Sequence, residues 1–283
     1  MGAGACVPTP REPVDLETVR PDAIRFGPAG PRATICPGEP TKFEAIIDGV
    51  DRDGDRVLLR PHRRELDDAI FDVRQLKLSS PHGFFDGEGV FYPKPDVMAS
   101  VGTGFVVYAR APHGPSFSVR FPPSYECAGT VGREGRPGES GPTYSVYVTW
   151  VRTPDYTKLL AARAVGDVDM VTLAPPRTYL VANARGGAGL AGSAQGAGDG
   201  GQGGDGGDVT VVVDERWDDI DRMVVGEVAG GEGGPGGYDE VASAIAAEAV
   251  RGRRGKHGEH GRFVVTRGEA RSKFENLGAI VPY

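Results

Sequence analysis

The sequence predicts a mainly β protein: an N-terminal β-sandwich, then a β-rich region braced by a bundle of glycine-rich polyproline II helices, with one short α-helix. Three observations predict this class. Short runs of alternating apolar and polar residues recur along the chain, as in half-buried strands. Glycine and proline, with 44 and 23 residues among 283, separate these runs. Glycine also returns at every third position in four stretches, which is the period of a polyproline II helix.

Residues 20–127 carry the pattern of the sandwich. Phe43, Ala45 and Ile47 alternate with Glu44 and Ile46, as in a strand with one buried face. Further strands are predicted at 57–59, 70–78, 105–109 and 117–121. The Pro-Gly-Glu-Pro sequence at 37–40, with an Asp-Gly pair after the following strand, resembles the start of bacterial immunoglobulin-like domains. That resemblance implies the immunoglobulin-like arrangement of the sandwich.

The glycine stretches keep a strict period of three, which a flexible linker has no reason to keep. Gln195 breaks the period once, inside the second stretch. Because three residues make one turn of polyproline II, each stretch has a face without side chains, and backbones can approach closely there. We interpret these residues as structural glycines. They are Gly129, Gly132, Gly135, Gly138 and Gly141; Gly186, Gly189, Gly192, Gly198, Gly201, Gly204 and Gly207; Gly231, Gly234 and Gly237; and Gly252, Gly255, Gly258 and Gly261.

Polyproline II helices form no internal hydrogen bonds, so their buried amides need partners on neighbouring helices. The sequence therefore predicts a bundle within one chain. Its second stretch would be about 60 Å long if straight, at about 3.1 Å per residue. A collagen triple helix needs three chains and longer, proline-richer runs. The alternative interpretation is a set of unstructured glycine loops.

Strands and one helix are predicted between the glycine stretches of the last region, 128–283. The strand-like runs are 144–151, 158–165, 168–173, 177–184, 209–214, 223–225 and 263–266. A short helix is predicted at 239–251, where Val241, Ala244, Ile245 and Ala249 form an apolar stripe and Gly252 is placed to end it.

Residues 1–19 are interpreted as a tether. The small residues before Cys6 resemble the end of a bacterial lipoprotein signal, although the apolar segment that precedes such a site is absent. Cys6 is therefore predicted to carry a lipid, with a proline-rich spacer after it; an incidental exposed cysteine is the alternative. The remaining two cysteines, Cys36 and Cys127, are predicted to form a disulfide in an exported protein. Two buried thiols are the alternative.

The order of these elements resembles glycine-rich, collagen-like cell-envelope lipoproteins of myxobacterial type. The matching features are the glycine triplets at 129–141, the strand block 144–151, the long glycine run 186–207 and the strand that follows it and ends in Val-Asp. The resemblance covers about residues 125–240. It implies an exported, often lipid-anchored, non-enzymatic protein, and it supplies no site residues.

Composition and motifs disfavour several classes of function. The net charge of −7 argues against a nucleic-acid partner. The sequence has no run of about 20 apolar residues, so no transmembrane helix is predicted. No acid, base and nucleophile form a recognisable set, so we predict no catalytic, cofactor-binding or metal-binding residues.

Two stretches of the sequence resemble ligand sites, but each has a simpler interpretation. The acidic stretch 51–55 has the wrong spacing for a calcium loop, and a β-turn explains it more simply. His257 and His260 would lie about 9 Å apart in polyproline II, too far to share one ion. The basic stretch 251–262 is interpreted as pairing with the acidic residues of the other stretches; binding of an anionic surface polysaccharide is the alternative.

We therefore expect a structural or interaction protein of the bacterial cell envelope, anchored in the membrane by its lipid and displayed at the outer membrane or cell surface. Its expected partner is a surface polysaccharide or another envelope protein. The second expectation is an adhesin or carbohydrate-binding module that presents ligands on a stiff bundle, and the third is an enzyme.

Overall fold

The computed structural model describes residues 13–30, 34–61, 69–127, 129–195, 197–239 and 251–283. These residues lie mainly in β-strands, with short 3-10 turns, which confirms the predicted mainly β class. The chain divides into two compact units, Met1–Pro95 with Thr103–Ser124 and Asp96–Gly102 with Tyr125–Tyr283. Cys6 and the predicted helix, apart from its end residues, lie outside the described residues.

The first unit contains two sheets in which most neighbouring strands are antiparallel. Its strands are β1 (Arg20–Pro28), β2 (Thr41–Val50), β3 (Arg56–Arg60), β4 (Ala69–Ile70), β5 (Lys77–Ser79), β6 (Gly83–Phe85), β7 (Val90–Pro93), β8 (Phe105–Arg110) and β9 (Ser116–Phe121). One sheet has the order β4-β3-β2-β7-β6, with β1 also paired to β2, and the other has the order β5-β8-β9.

Both sheets of the first unit contribute to one core. Every second residue of β2 from Phe43 onward is buried, as the alternation predicts. Phe43 on β2, Phe91 on β7 and Phe105 on β8 are buried, and neighbouring rings meet edge to face with centroids 6.0 Å apart. Leu16 and Val19 belong to the same core. The last residues of the predicted tether, 1–19, therefore pack with this unit.

The predicted strand at 70–78 is interrupted. A 3-10 turn, Val73–Gln75, separates β4 from β5. Asp72 precedes this turn, and its carboxylate accepts a hydrogen bond of 2.9 Å from the amide of Arg74. Because a short acidic side chain offers the backbone a local acceptor, the turn replaces the strand pairing that the apolar pattern suggests.

The second unit contains two further sheets. Its strands are β10 (Thr130–Gly132), β11 (Tyr144–Arg152), β12 (Leu159–Gly166), β13 (Met170–Ala174), β14 (Leu180–Asn183), β15 (Val209–Asp214), β16 (Val224–Glu227), β17 (Phe263–Gly268) and β18 (Val281–Pro282). The larger sheet has the order β13-β12-β11-β15-β17, with β18 paired to β11, and the smaller has the order β10-β14-β16.

The larger sheet is buried on both faces. Val146 and Val148 of β11 pack into one hydrophobic cluster, whereas Val151 of β11 and Leu159 of β12 pack into another. Burial on both faces explains the continuous apolar run at the start of β12.

Several neighbouring strands of the second unit are parallel. β11 pairs with β15, β15 with β17, β10 with β14, and β14 with β16 in this sense. Parallel neighbours require a long connection, most often a helix. Here the described parts of these connections include the glycine stretches, so the chain returns to the same end of the sheets through them.

Cys36 and Cys127 are disulfide-bonded. Among the described residues, one group of three potential metal ligands lies close together, and it consists of this pair and Glu39. Because both sulfur atoms are in a disulfide, neither offers the thiolate that a metal would need. Among the described residues, no helix has the length and apolar character needed to cross a membrane.

Candidate functional site

The glycine stretches form five segments that lie outside any helix or strand. We number them segment 1 (133–143), segment 2 (184–195), segment 3 (197–208), segment 4 (228–239) and segment 5 (251–262). The start of the first predicted stretch lies elsewhere, because Gly132 ends strand β10 with a positive φ of 98°.

The second predicted stretch is two segments, so it does not have the length of about 60 Å that it would have if straight. The chain reverses near Gln195, where the glycine period breaks, and Ala197 has a positive φ of 45°. The amide of Gly198 donates to the carbonyl of Ser193 at 3.0 Å, and Gly201 donates to Leu190 at 2.8 Å. Segments 2 and 3 are therefore antiparallel neighbours.

Hydrogen bonds between segments recur at every third residue. Gly231, Gly234 and Gly237 of segment 4 donate to glycine carbonyls of segment 3 at 2.7–2.8 Å. A second face of segment 3 donates hydrogen bonds to segment 5. The amides of Gly200 and Gly203 donate to carbonyls of that segment at 2.8 and 2.9 Å. Other glycine donors of the same pattern include Gly186, Gly189 and Gly192 toward segment 4, and Gly252, Gly255, Gly258 and Gly261 also toward segment 4. Segment 3 thus lies in the middle of the group.

Most of these glycines leave no room for a side chain. A Cβ atom built on Gly204 would lie well under 3.0 Å from the carbonyl oxygen of Glu139, and one on Gly207 would meet Pro142 in the same way. On Gly231 and Gly234, it would meet carbonyls of segment 2. Glycine at these positions is a steric requirement, because backbone atoms are the obstacle and cannot rotate away.

The strands set the register of the segments that continue them. Val209 of β15 pairs with Phe263 of β17. The same spacing of 54 residues joins Asp208 to Arg262 and Asp205 to Glu259. These pairs lie in segments 3 and 5, which directly precede β15 and β17. The parallel pairing of β15 with β17 therefore continues directly into segments 3 and 5.

Aspartates on segment 3 satisfy amides that the glycines do not reach. The carboxylates of Asp199, Asp205 and Asp208 accept hydrogen bonds of 2.6–2.8 Å from the backbone of segment 5. Asp208 also forms an ion pair of 2.7 Å with the Arg262 guanidinium. The Arg262 hydrogen bonds hold the pKa of the Asp208 carboxyl below its ordinary value. Three of the triplets of segment 3 thus each carry a side-chain acceptor toward segment 5.

The basic stretch of segment 5 is exposed and partly paired. Besides the Arg262 pair, Arg254 contacts Glu232 at 2.9 Å, in agreement with the predicted pairing with acidic residues of the other stretches. His257 and His260 are exposed and do not belong to any metal-binding group among the described residues. At the other predicted ligand site, the Asp51 carboxylate accepts bonds from the amides of Asp53 and Asp55, as expected for a turn.

A second candidate region lies in the second unit, at the opposite ends of the strands from the glycine segments. The amide of Tyr144, at the start of β11, bonds to Asp208 of segment 3, whereas Trp150 lies six residues further along β11. At about 3.3 Å per residue these positions are about 20 Å apart. A cleft of about 420 Å³ opens there, which we call the strand-end cleft. Its lining includes Trp150, Lys158, Arg177, Tyr179, Asp219 and Arg222.

Lys158 holds the two tryptophans of the chain together beside the strand-end cleft. Its ammonium nitrogen lies 4.2 Å from the ring centre of Trp150 and 5.5 Å from that of Trp217. Trp150 is buried, and its indole N–H has no hydrogen-bond partner in the part of the chain that the structure describes. The sequence carries one local signal for this region, the proline-proline-arginine run that precedes Tyr179, at 175–179.

A buried carboxylate fixes the end of β15 near these residues in sequence. Asp214 accepts 2.6 Å and 2.9 Å hydrogen bonds from the Thr149 hydroxyl and from Arg216 Nε. The bonds from Arg216, followed by that from Thr149, lower the pKa of Asp214 to about 2 against the opposing effect of burial. The carboxylate therefore stays charged and anchors the strand that leads to Trp217.

No protein-family model, no curated protein and no solved structure matches this chain. Its function is therefore inferred from the residues of the glycine segments and of the strand-end cleft.

Proposed function

We propose that this protein is a non-enzymatic structural or interaction module of the bacterial cell envelope, exported and held at the outer membrane or cell surface by a lipid on Cys6. In this proposal the five glycine segments are polyproline II helices packed as one bundle. The two sheets of the first unit form a sandwich of immunoglobulin-like type. The observation that supports the proposal most is the repeated hydrogen bonding between segments 2, 3, 4 and 5.

Repeated backbone bonding makes a glycine-rich surface stiff. Ordering one residue costs about 1–2 kcal/mol of backbone entropy, and glycine has no side chain to offset it. Because ordering so many glycines is costly, we expect the rigid backbone to have a function. In this proposal, its function is to hold the residues between the glycines in regular rows. A rigid display surface is useful for contact with an extended partner, because little further ordering is needed on binding.

Hydrogen exchange followed by mass spectrometry tests the stiffness on which the proposal depends. Peptides that cover 186–207 should exchange slowly, and native mass spectrometry of the same sample should give a monomer. A trimer with slow exchange would favour a collagen-like assembly instead. Exchange at random-coil rates would show that the segments are linkers, and the proposal would be abandoned.

Fractionation of the source cells tests the placement in the envelope. The protein should enter the detergent phase of a Triton X-114 extraction and should be digested when intact cells are treated with a protease. A Cys6→Ser variant should move to the aqueous phase. Recovery of the wild-type protein in the soluble intracellular fraction would contradict the proposal.

A second candidate function is an adhesin or carbohydrate-binding module, and the exposed cations of segment 5 favour it. Arg253 and Lys256 form no ion pair with any residue that the structure describes, although their neighbours Arg254 and Arg262 do. Arg253 and Lys256 are three residues apart, so in a polyproline II helix they lie in one row and could both bind an anionic surface polysaccharide. Retention on immobilised anionic polysaccharide that is lost in an R253Q/K256Q variant, but kept in R254Q, would support this function over a purely structural one.

A further inference from the structure

The strand-end cleft concentrates positive charge in an acidic protein. Lys158, Arg177 and Arg222 line it together with one carboxylate, Asp219, while the whole chain has a net charge of −7. None of these four side chains forms an ion pair or hydrogen bond with another described side chain. Three cations beside one carboxylate in a concave site leave an excess of positive charge, and this excess creates a local field that attracts an anion.

The backbone conformation of Arg177 is one that disfavours arginine, which indicates that the side chain has a role other than stabilising the fold. Arg177 has a φ of 75°, in the left-handed region, and the amide of Thr178 bonds to the carbonyl of Pro175 at 3.2 Å. Proline followed by a residue of positive φ is the pattern of a type II turn, whose third position favours glycine. A chain with 44 glycines places an arginine there. A strained residue at the rim of a cleft is typical of a binding site.

Aromatic surface accompanies the charge. Tyr179 lies two residues after Arg177 and is 64% exposed. Trp150 lies beneath Lys158 at the base of the cleft. A flat apolar ring beside fixed cations suits a ligand that has both an apolar face and an anionic group. Asp219 adds an acceptor for hydroxyl groups.

The geometry points to an acidic saccharide as the ligand of the strand-end cleft. We place the apolar face of a hexuronate ring against Tyr179, its carboxylate between Arg177 and Arg222, and a ring hydroxyl on Asp219. A guanidinium binds a carboxylate through two parallel hydrogen bonds, which gives the site its preference for a carboxylate. A cleft of about 420 Å³ is within the range of small-ligand sites. This site is separate from the cations of segment 5 and does not depend on the role of the glycine segments.

Tryptophan fluorescence of the full chain tests the proposal, because the chain has two tryptophans and both contact Lys158. The probe is a tetramer of mannuronate derived from alginate, with cellotetraose as a neutral sugar of equal length and sodium sulfate as a simple anion. We expect a saturable change with the mannuronate tetramer. Cellotetraose should bind at least tenfold more weakly, and sulfate should not compete at the same concentration.

Three variants locate the binding. Arg177→Asn removes the charge and keeps a residue that tolerates positive φ, and Arg222→Gln and Tyr179→Ala change exposed side chains. Each should weaken binding at least tenfold with little change in melting temperature. The R253Q/K256Q variant, in segment 5, should bind as the wild type does. No saturable signal, equal binding of cellotetraose, competition by sulfate alone, or full binding by the three cleft variants would each overturn the proposal.

Discussion

Gly204 donates a hydrogen bond of 2.8 Å to the carbonyl of Gly187, and this contact lies at the centre of the glycine segments. Its own carbonyl accepts a bond of 2.7 Å from Gly231 of segment 4. The Cα of Gly204 faces the carbonyl of Glu139 in segment 1. Gly258 of segment 5 packs against the carbonyl of Gly204. One residue without a side chain therefore contacts all four of the other segments.

Gly204→Ala should destabilise the protein strongly, by about 3 kcal/mol or more of unfolding free energy, because the new methyl group would collide with fixed backbone atoms. Gly198→Ala is the matched control in the same segment. Its Cβ would lie 3.1 Å from the nearest atom, the Ser193 nitrogen, so a small shift accommodates it. Urea unfolding of both variants measures the difference. Equal losses of stability would contradict the central packing of Gly204.

The period of the glycines could be read from the sequence, and their pairing could not. A three-residue period predicts a bare face on each stretch, and the contacts of Gly204 lie on such a face. Which stretch lies beside which depends on how the strands that continue the segments pair, as β15 does with β17, and the glycine period does not specify that pairing. The reversal near Gln195 was visible only as a break in the period. A break in the period does not by itself indicate the direction of the chain after it.

The strand-end cleft was harder to predict, since its residues come from four separate parts of the chain. Trp150, Lys158, Arg177 and Arg222 meet only because the ends of β11 and β12 and the loops before β14 and β16 lie together. No local spacing links them. The one local clue was Arg177 in a turn that favours glycine.

Removal of the disulfide should lower stability. A cross-link across a loop as long as that between Cys36 and Cys127 is worth about 4–5 kcal/mol by loop-closure entropy, if the native state is unstrained. Cys36→Ser should therefore lower the melting temperature more than Cys6→Ser, which affects a residue that forms no part of this cross-link. Differential scanning calorimetry of the two variants under non-reducing conditions makes the comparison. Equal melting temperatures would mean that the cross-link does not stabilise the protein in solution.

Asp214 should make stability depend on pH at the acidic end. Its pKa of about 2 in the folded protein lies below the ordinary value of 3.8, so its contribution is complete above about pH 4 and is lost as the pH falls through 2. That shift corresponds to about 2 kcal/mol. The stability advantage of the wild type over Asp214→Asn should shrink by this amount between pH 6 and pH 2. Thr149→Val, which keeps the Arg216 contacts, should lose only part of it; an advantage that is constant with pH would contradict this role.

Arg177→Gly should raise the stability of the protein while it removes a cation from the strand-end cleft. Glycine adopts a φ of 75° without strain, and relief of such strain is worth about 1 kcal/mol. Asn276→Gly is the matched control, because Asn276 has a φ of 72° but asparagine already tolerates this region, so its gain should be smaller. Thermal unfolding of both variants, followed by titration with the mannuronate tetramer, gives the two readouts. If Arg177→Gly is more stable and binds more weakly, the arginine is kept at a cost in stability because the ligand site requires it. If it is less stable than the wild type, Arg177 serves the fold, and the inference from its strained backbone fails.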